Sequence, residues 1–346
     1  MWFCVKTRDN VNVRYTTQII QALKLLIFAI FIAAILPACV RRPVHSVSDT
    51  PKIRTDPTFI QIGLPSGDVR KLPLERYVRH AVLGEVPLAS LTPDAAQTMA
   101  EVQIILARTY ALNHLGRHAN EGFDLCTTTH CQVYRETLDS QSQIQAVVDR
   151  AQEATRNMVV THQARPIDAV FHAHCGGATS PSSSVWGGES PPYLSGVNDP
   201  YCALTDNSRW RFSVSREELR ATLNATTRTS VGDQLTTVRI VQHDTAGRVT
   251  KVQISGSREL IIRGEQLRSV IAGSFGWNVF KSSRFSVTEQ NDQFHFTGNG
   301  YGHGTGLCQT GAMARASAGH SFEEILLAYY PETELSDRQT DKRLSK

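Results

Sequence analysis

The sequence predicts an α+β protein of two lobes, with antiparallel β elements and flanking helices, and three observations predict it. The first half carries helical apolar spacing. Leu74, Tyr77, Val78, Ala81 and Val82 recur on one face, and Met99, Val102, Ile105, Leu106 and Leu112 recur further on. From residue 209 onward the period becomes that of strands, with Val238–Gln242 and Val249–Ile254 alternating about Ala246-Gly247. No internal repeat is visible, and 346 residues suffice for one large or two ordinary domains.

Each element has a local reason. Residues 25–36 are an unbroken apolar run preceded by Lys6, Arg14 and Lys24, the pattern of an export signal. The run ends at Leu36-Pro37-Ala38-Cys39, which resembles a bacterial lipoprotein cleavage box, although Pro37 is not the usual small residue. Two readings stay open: a lipidated Cys39, or an ordinary signal or single anchor helix over residues 1–39. Both put the mature protein outside the cytoplasm, in the cell envelope, membrane-tethered or periplasmic. Residues 40–57 are polar, hold Pro43, Pro51 and Pro57, and read as a tether.

A first strand is expected over 58–64 and an amphipathic helix over 73–83, with Glu85 just past its end. A helix C-terminus disfavours negative charge, so its dipole and burial would both raise the pKa of Glu85. Thr92-Pro93-Asp94 has the cap, the first-position proline and the first-turn acid of a helix start, and that helix runs to about residue 115. A loop over 116–135 carries Cys126, His130 and Cys131. Then come a helix over 141–157, strands at 158–162 and 167–173, and a long loop at 179–198 with Trp186 and Tyr193. In the second half, strands at 210–214, 285–287 and 294–296 lead to a glycine-rich loop, Gly300-Tyr301-Gly302-His303-Gly304-Thr305-Gly306. Ser215 opens a short helix, residues 266–271 form another, and 307–318 a third. Ser321 and Glu324 form a capping box for the last helix, which ends at Tyr329-Tyr330-Pro331. Residues 336–346 read as a loose polar tail.

Bulk composition narrows the function classes. Hydrophobic content of 41% and charged content of 20% suit a folded globular domain. A formal net charge of +4 is too mild to argue for nucleic acid, and suits an anionic wall polymer equally well. The glycine-rich loop lacks the lysine and the spacing of a phosphate loop, and no His-Glu-x-x-His pattern of a zinc hydrolase is present.

One ordered set of short motifs carries a resemblance. Gly84-Glu85-Val86-Pro87, Ala107-Arg108-Thr109-Tyr110-Ala111-Leu112, Phe171-His172 with Gly176-Gly177, Val185-Trp186-Gly187-Gly188, Pro192-Tyr193-Leu194 and the run Gly302 to Ala312 occur in this order. Together, over residues 58–335, they resemble the stage II sporulation protein D or amidase-enhancer family. The resemblance implies a catalytic domain over 58–335 with a substrate groove between its lobes. It also implies a lytic transglycosylase acting on peptidoglycan glycan strands, stripped of peptide, with Glu85 as general acid/base. The alternative is a non-catalytic wall-binding protein that stimulates an N-acetylmuramoyl-L-alanine amidase. Glu101, inside the long helix, is a nearby alternative acid, because the interval from Glu85 to Arg108 is longer than the common family pattern. Arg108, Tyr110, His303 and Gln309 are the candidate substrate-binding residues. Three of them have a structural reading beside the functional one: packing for Arg108 and Tyr110, loop stabilisation for His303. Trp186 and Tyr193 stack on sugar faces or pack in the core.

Thiolate and imidazole at the spacing of Cys126, His130 and Cys131 suit zinc, with His118 a candidate fourth ligand, and some members of the resembled family bind zinc at a matching loop. A small Cys126–Cys131 disulfide is the other reading, favoured by an oxidising compartment. If that pair binds metal, Cys175 and Cys202 are free to pair across the long loop, leaving Cys308, which stands where the family often has Ser.

Overall fold

The computed structural model describes residues 58–135, 142–203 and 208–341. The expected signal, the lipoprotein box at Cys39 and the tether lie outside these residues. Among the described residues no helix is long and apolar enough to cross a membrane.

The architecture is α+β, with small sheets and flanking helices around two separate hydrophobic clusters. The first lobe opens on β1 (Phe59–Gly63) and β2 (Val69–Pro73), an antiparallel hairpin turned at Gly67, with β2 unforeseen in the sequence. Helix α1 (Leu74–Glu85) buries the expected face of Leu74, Tyr77, Val78, Ala81 and Val82. It extends past the expected end, so Glu85 is its last residue.

Helix α2 (Pro93–Asn113) is the axis of this lobe. Its middle and far end are buried on nearly every side, which an amphipathic surface helix never is. Thr92 precedes Pro93 as expected, but its side chain makes no cap bond. Around α2 pack α1, α3 (Ser142–Ala154), β4 (Met158–His162), α8 (Gln309–Ser317) and α9 (Phe322–Tyr329). β4 pairs with β5 (Arg165–Pro166) and with β14 (Glu334–Asp337), so ordered structure runs past the tail boundary expected at 335.

Arg108 is where expectation and structure part. Its side chain is 0% exposed, so it offers no face to a polymer. Its Nε and Nη2 donate to the two carboxylate oxygens of Glu75 at 2.7 and 2.8 Å, and its Nη1 donates to the carbonyls of Thr155 and Met158 at 3.0 Å each. The guanidinium therefore clamps α1, the end of α3 and the start of β4 onto α2. This corrects the substrate-binding expectation: a planar fork with matched acceptors on two sides is a structural tie. Arg108→Lys keeps the charge and loses the fork. It is expected to lower stability by roughly 2–4 kcal/mol in chemical denaturation, with activity per folded molecule unchanged.

The second lobe is built on β7 (Arg209–Ser215), β11 (Phe285–Gln290) and β12 (Gln293–Asn299), in the order β11-β12-β7, all antiparallel. Trp210, Phe212 and Val214 alternate inward along β7 and meet Phe280, Phe285 and Phe296 in one aromatic cluster. A second sheet holds β8 (Leu235–His243), β9 (Val249–Gly256) and β10 (Glu259–Ile262), with the expected hairpin at Ala246-Gly247. Helices α6 (Arg216–Asn224) and α7 (Gly264–Phe275) cover it. Ser215 and Ser321 both form complete capping boxes. Two open cavities, of ≈ 490 and ≈ 640 Å³, lie on this lobe, and their lining does not include Glu85.

The glycine-rich loop leaves β12 and returns the chain to the first lobe. There β13 (Leu307–Cys308) lies parallel to β6 (Phe171–His172), joining two of the motif segments. Beneath the loop sits Arg248, 1% exposed, donating to the carbonyl of Gly302 at 3.1 Å. Gly304 has φ +84 and lies flat on that guanidinium, so any side chain there meets both backbone strain and Arg248.

Candidate active site and metal centre

The site grows from the end of α1. Glu85 accepts a bond from the Val133 amide at 2.5 Å, and the side-chain amide of Gln309, the first residue of α8, donates to the Glu85 main-chain carbonyl at 3.3 Å. The two motif stretches therefore meet, through Gln309. Burial raises the Glu85 carboxyl above its ordinary value, and the Val133 amide offsets only part of that. This is the direction a proton donor needs. The hydroxyl of buried Tyr77, which lies within electrostatic reach of Glu85, Tyr110 and Cys131, donates to the side-chain oxygen of Gln132 at 2.9 Å.

Gly84 makes the arrangement feasible. A Cβ there would stand 2.8 Å from the Val133 carbonyl oxygen, closer than real Cβ atoms come. Gly84→Ala must push the 132–134 segment away and with it the amide that holds Glu85. The expected cost is about 1–3 kcal/mol in denaturation together with a reduced rate of any reaction that uses Glu85.

Glu101 occupies a different environment. It accepts from Gln97 at 2.9 Å within α2 and is repelled by Glu323 of α9; burial is the main cause of its raised pKa. Among the described residues no hydrogen bond ties it to Val133 or Gln309.

His303 points elsewhere too. Its Nε2 bonds the Phe171 carbonyl at 2.8 Å and its Nδ1 accepts from the Thr305 amide at 3.1 Å, an assignment that fixes the neutral tautomer. Burial pushes its pKa down to about 3; Arg248 and Arg268 add repulsion, and the bond to Phe171 offsets part of it. Its ring faces His172 and the half-exposed Trp186, the last residue of short helix α4 (Ser182–Trp186). With both nitrogens bonded to backbone, His303 holds the loop, and the sugar-bonding expectation is corrected.

Tyr110 is 5% exposed, stacks on His114 with centroids 4.1 Å apart, and accepts from Arg117 at 3.2 Å. His114 in turn lies 3.4 Å from Asp168, whose amide donates to the hydroxyl of Tyr193 at 3.4 Å. Tyr193 is thus tied into the first lobe's interior. Tyr77, Gln132, His114 and Asp168 were not singled out in the sequence: Tyr77 reads as one more apolar position on a helix face, and the others lack any motif.

The loop that supplies Val133 begins with the cysteine cluster. Short strand β3 (Leu125–Cys126) lies parallel to β1 and fixes its start. One ligand atom each from His118, Cys126, His130 and Cys131 lie within 4.8 Å of one another. His118 Nε2 is 3.3 Å from Cys131 Sγ, and His130 Nδ1 is 3.6 Å from both Cys126 Sγ and Cys131 Sγ. Tetrahedral zinc with ordinary Zn–S and Zn–N lengths sets neighbouring S and N atoms about 3.6 Å apart, so the donor set fits the ion. Glu121 bonds His118 Nδ1 at 2.6 Å, the carboxylate partner that orients a ligating imidazole. Burial pushes the Cys131 thiol up to about 11, whereas for Cys126 the bonds from Thr128 and Cys131 outweigh burial and lower it. Cys126, Cys131, Cys175, Cys202 and Cys308 are all free thiols in this structure.

Comparison with known proteins bears on this geometry. The profile of a family described as stage II sporulation protein matches residues 66–162, the segment holding Glu85 and the cysteine–histidine cluster. A second profile, a domain of unknown function (DUF8618), matches residues 202–306. The chain is 29% identical over 275 residues to an uncharacterized protein of Brachyspira hyodysenteriae, covering 78% of this chain and 68% of that one. It is 24% identical over 281 residues to stage II sporulation protein D of Bacillus subtilis, covering 78% and 76%. The amidase enhancer of Bacillus subtilis is 28% identical over 281 residues, 68% of this chain and 37% of the enhancer. With the ordered motifs and the α+β fold, these matches agree on one likeness: the chain is similar to the stage II sporulation protein D and amidase-enhancer family, with the family profile falling on residues 66–162.

Proposed function

We propose that this protein is an extracytoplasmic lytic transglycosylase that cleaves peptidoglycan glycan strands, with Glu85 as general acid and then base. The observation that carries the reading is the Glu85 carboxyl: half-buried, raised in pKa, and held at 2.5 Å by a backbone amide at the junction of the two motif stretches. Glycoside cleavage requires a proton for the leaving oxygen as positive charge develops on the sugar. Glu85 would give that proton as the glycosidic bond breaks, then take one from the sugar's own 6-hydroxyl as it closes on the anomeric carbon. Intramolecular attack supplies what a second carboxylate supplies in hydrolases, so a single acid suffices.

His118, Cys126, His130 and Cys131 would hold a zinc ion that contributes folding energy rather than chemistry. Four protein ligands leave no open position, which argues against a zinc hydrolase. Fixing that loop fixes Val133, and so orients Glu85.

The second reading, a wall-binding partner that stimulates a cell-wall amidase, draws on the relative named amidase enhancer. One experiment separates the two. The protein is incubated with peptide-free glycan and the ends are weighed by mass spectrometry. Anhydro ends support the transglycosylase, reducing ends support a hydrolase, and uncut glycan that still binds supports the enhancer. An envelope location and a tether through the N-terminal segment complete the proposal.

A further inference from the structure

Three cysteines away from Glu85 converge in the interior. Cys175 follows β6, Cys202 lies in the short helix α5 (Pro200–Ala203), and Cys308 ends β13 and caps α8. All three are 0% exposed, as is Asp199. Each sulfur lies in contact with both of the others, and one ligand atom from each of the four residues falls within 4.8 Å of all the rest. A disulfide would single out one pair; a triangle of sulfurs closed by a carboxylate is what a single ion draws together.

Backbone amides are aimed at two of the buried sulfurs. The amides of Cys175 and Gly311 donate to Cys308 Sγ at 3.2 and 3.5 Å, and the amide of Gly177 donates to Cys175 Sγ at 3.3 Å. Hydrogen bonds to the charged form stabilise it. Asp199 is oriented by the Tyr329 hydroxyl, which donates to Oδ2 at 2.8 Å, and by the Cys202 amide, which donates to Oδ1 at 3.3 Å. Such outer partners aim a ligand at its ion.

We propose that Cys175, Cys202, Cys308 and Asp199 form a second, closed zinc site, separate from the His118–Cys126–His130–Cys131 cluster. Thiolates select zinc over the hard divalent ions, and four protein ligands make the site structural. As the ion binds, the three thiol protons leave to solvent. The site fastens the end of β6 and α5 to the start of α8. The residue after Cys308 is Gln309, whose amide reaches the Glu85 carbonyl, so the same ion would fix one contact of the candidate active site.

The test is metal counting by native mass spectrometry on the reduced full chain, stripped by chelator and titrated with Zn(II) alone. The wild type is expected to take two ions, the double variant Cys126→Ser/Cys131→Ser to keep one, and Cys202→Ser to lose one. With Co(II) in place of zinc, the double variant should show the sulfur-to-metal absorption of three thiolates. A wild type that takes one ion only overturns the proposal, as does a double variant that takes none. So does a double variant that is metal-free and lighter by the two hydrogens of a disulfide. Should Cys202→Ser fail to fold, the wild-type and double-variant counts still decide.

Discussion

Glu85→Gln is expected to yield a folded protein that no longer produces anhydro ends, with a rate loss on the order of 10²–10⁴-fold, the range that general acid–base groups supply. Gln keeps an oxygen for the Val133 amide but cannot deliver a proton. The pH dependence follows from the direction of the shift. A donor must start protonated, and burial raises the Glu85 carboxyl, so activity should fall as pH rises through that raised value. Stability has the same sign. The folded protein holds this proton more tightly than the unfolded chain, so the Glu85 contribution is lost as pH rises from the ordinary carboxylate range through the folded value. The Gln variant escapes that loss. Its melting temperature should exceed that of the wild type at neutral pH and approach it well below pH ~4, where the carboxyl is protonated in the folded and the unfolded chain alike. A Gln variant that cuts glycan at the wild-type rate would remove Glu85 from the chemistry, and Glu101→Gln should then be the variant that fails.

Cys131→Ser is the second variant with a large expected effect. It removes a thiol that faces both His118 and His130, at 3.3 and 3.6 Å, and the zinc proposed for that loop should be lost. We expect roughly 3–5 kcal/mol of destabilisation, as for removal of a structural metal. Activity should fall with it, because Val133 lies two residues beyond Cys131 and carries the amide that holds Glu85. The measurements are zinc content, thermal unfolding and glycan cleavage. Chelation of the wild type should reproduce the defect, and added zinc should reverse it in the wild type but not in the variant. Full activity in zinc-free Cys131→Ser would detach the metal loop from the site.

Much of this was legible in advance, for local reasons. Leu74, Tyr77, Val78, Ala81 and Val82 announce α1 because burial of one face needs that spacing. Ser215 and Ser321 announce helix starts because the orphan amides of a first turn need an oxygen at that position. Cys126, His130 and Cys131 are close in sequence, so their convergence needs only a tight loop, and His118 joins them from eight residues before Cys126. Arg108 and His303 misled for the opposite reason. Motif position says that a polar side chain matters but not what it faces, and here the partners are Glu75, Thr155, Met158, Phe171 and Thr305.

By itself the sequence determined most of the helices and the Ala246-Gly247 hairpin, and it pointed to Glu85, to the cluster of Cys126, His130 and Cys131, and to the likeness to stage II sporulation protein D. All of these depend on residues within a few turns of one another or on the order of motifs. Tertiary structure alone decided that Gln309 rather than His303 reaches Glu85, that Arg108 is a buried clamp, and that Cys175, Cys202 and Cys308 share one interior point with Asp199. Those contacts join segments scores of residues apart. Their partners are chosen by which surfaces the two cores press together, and no local period or spacing encodes that choice.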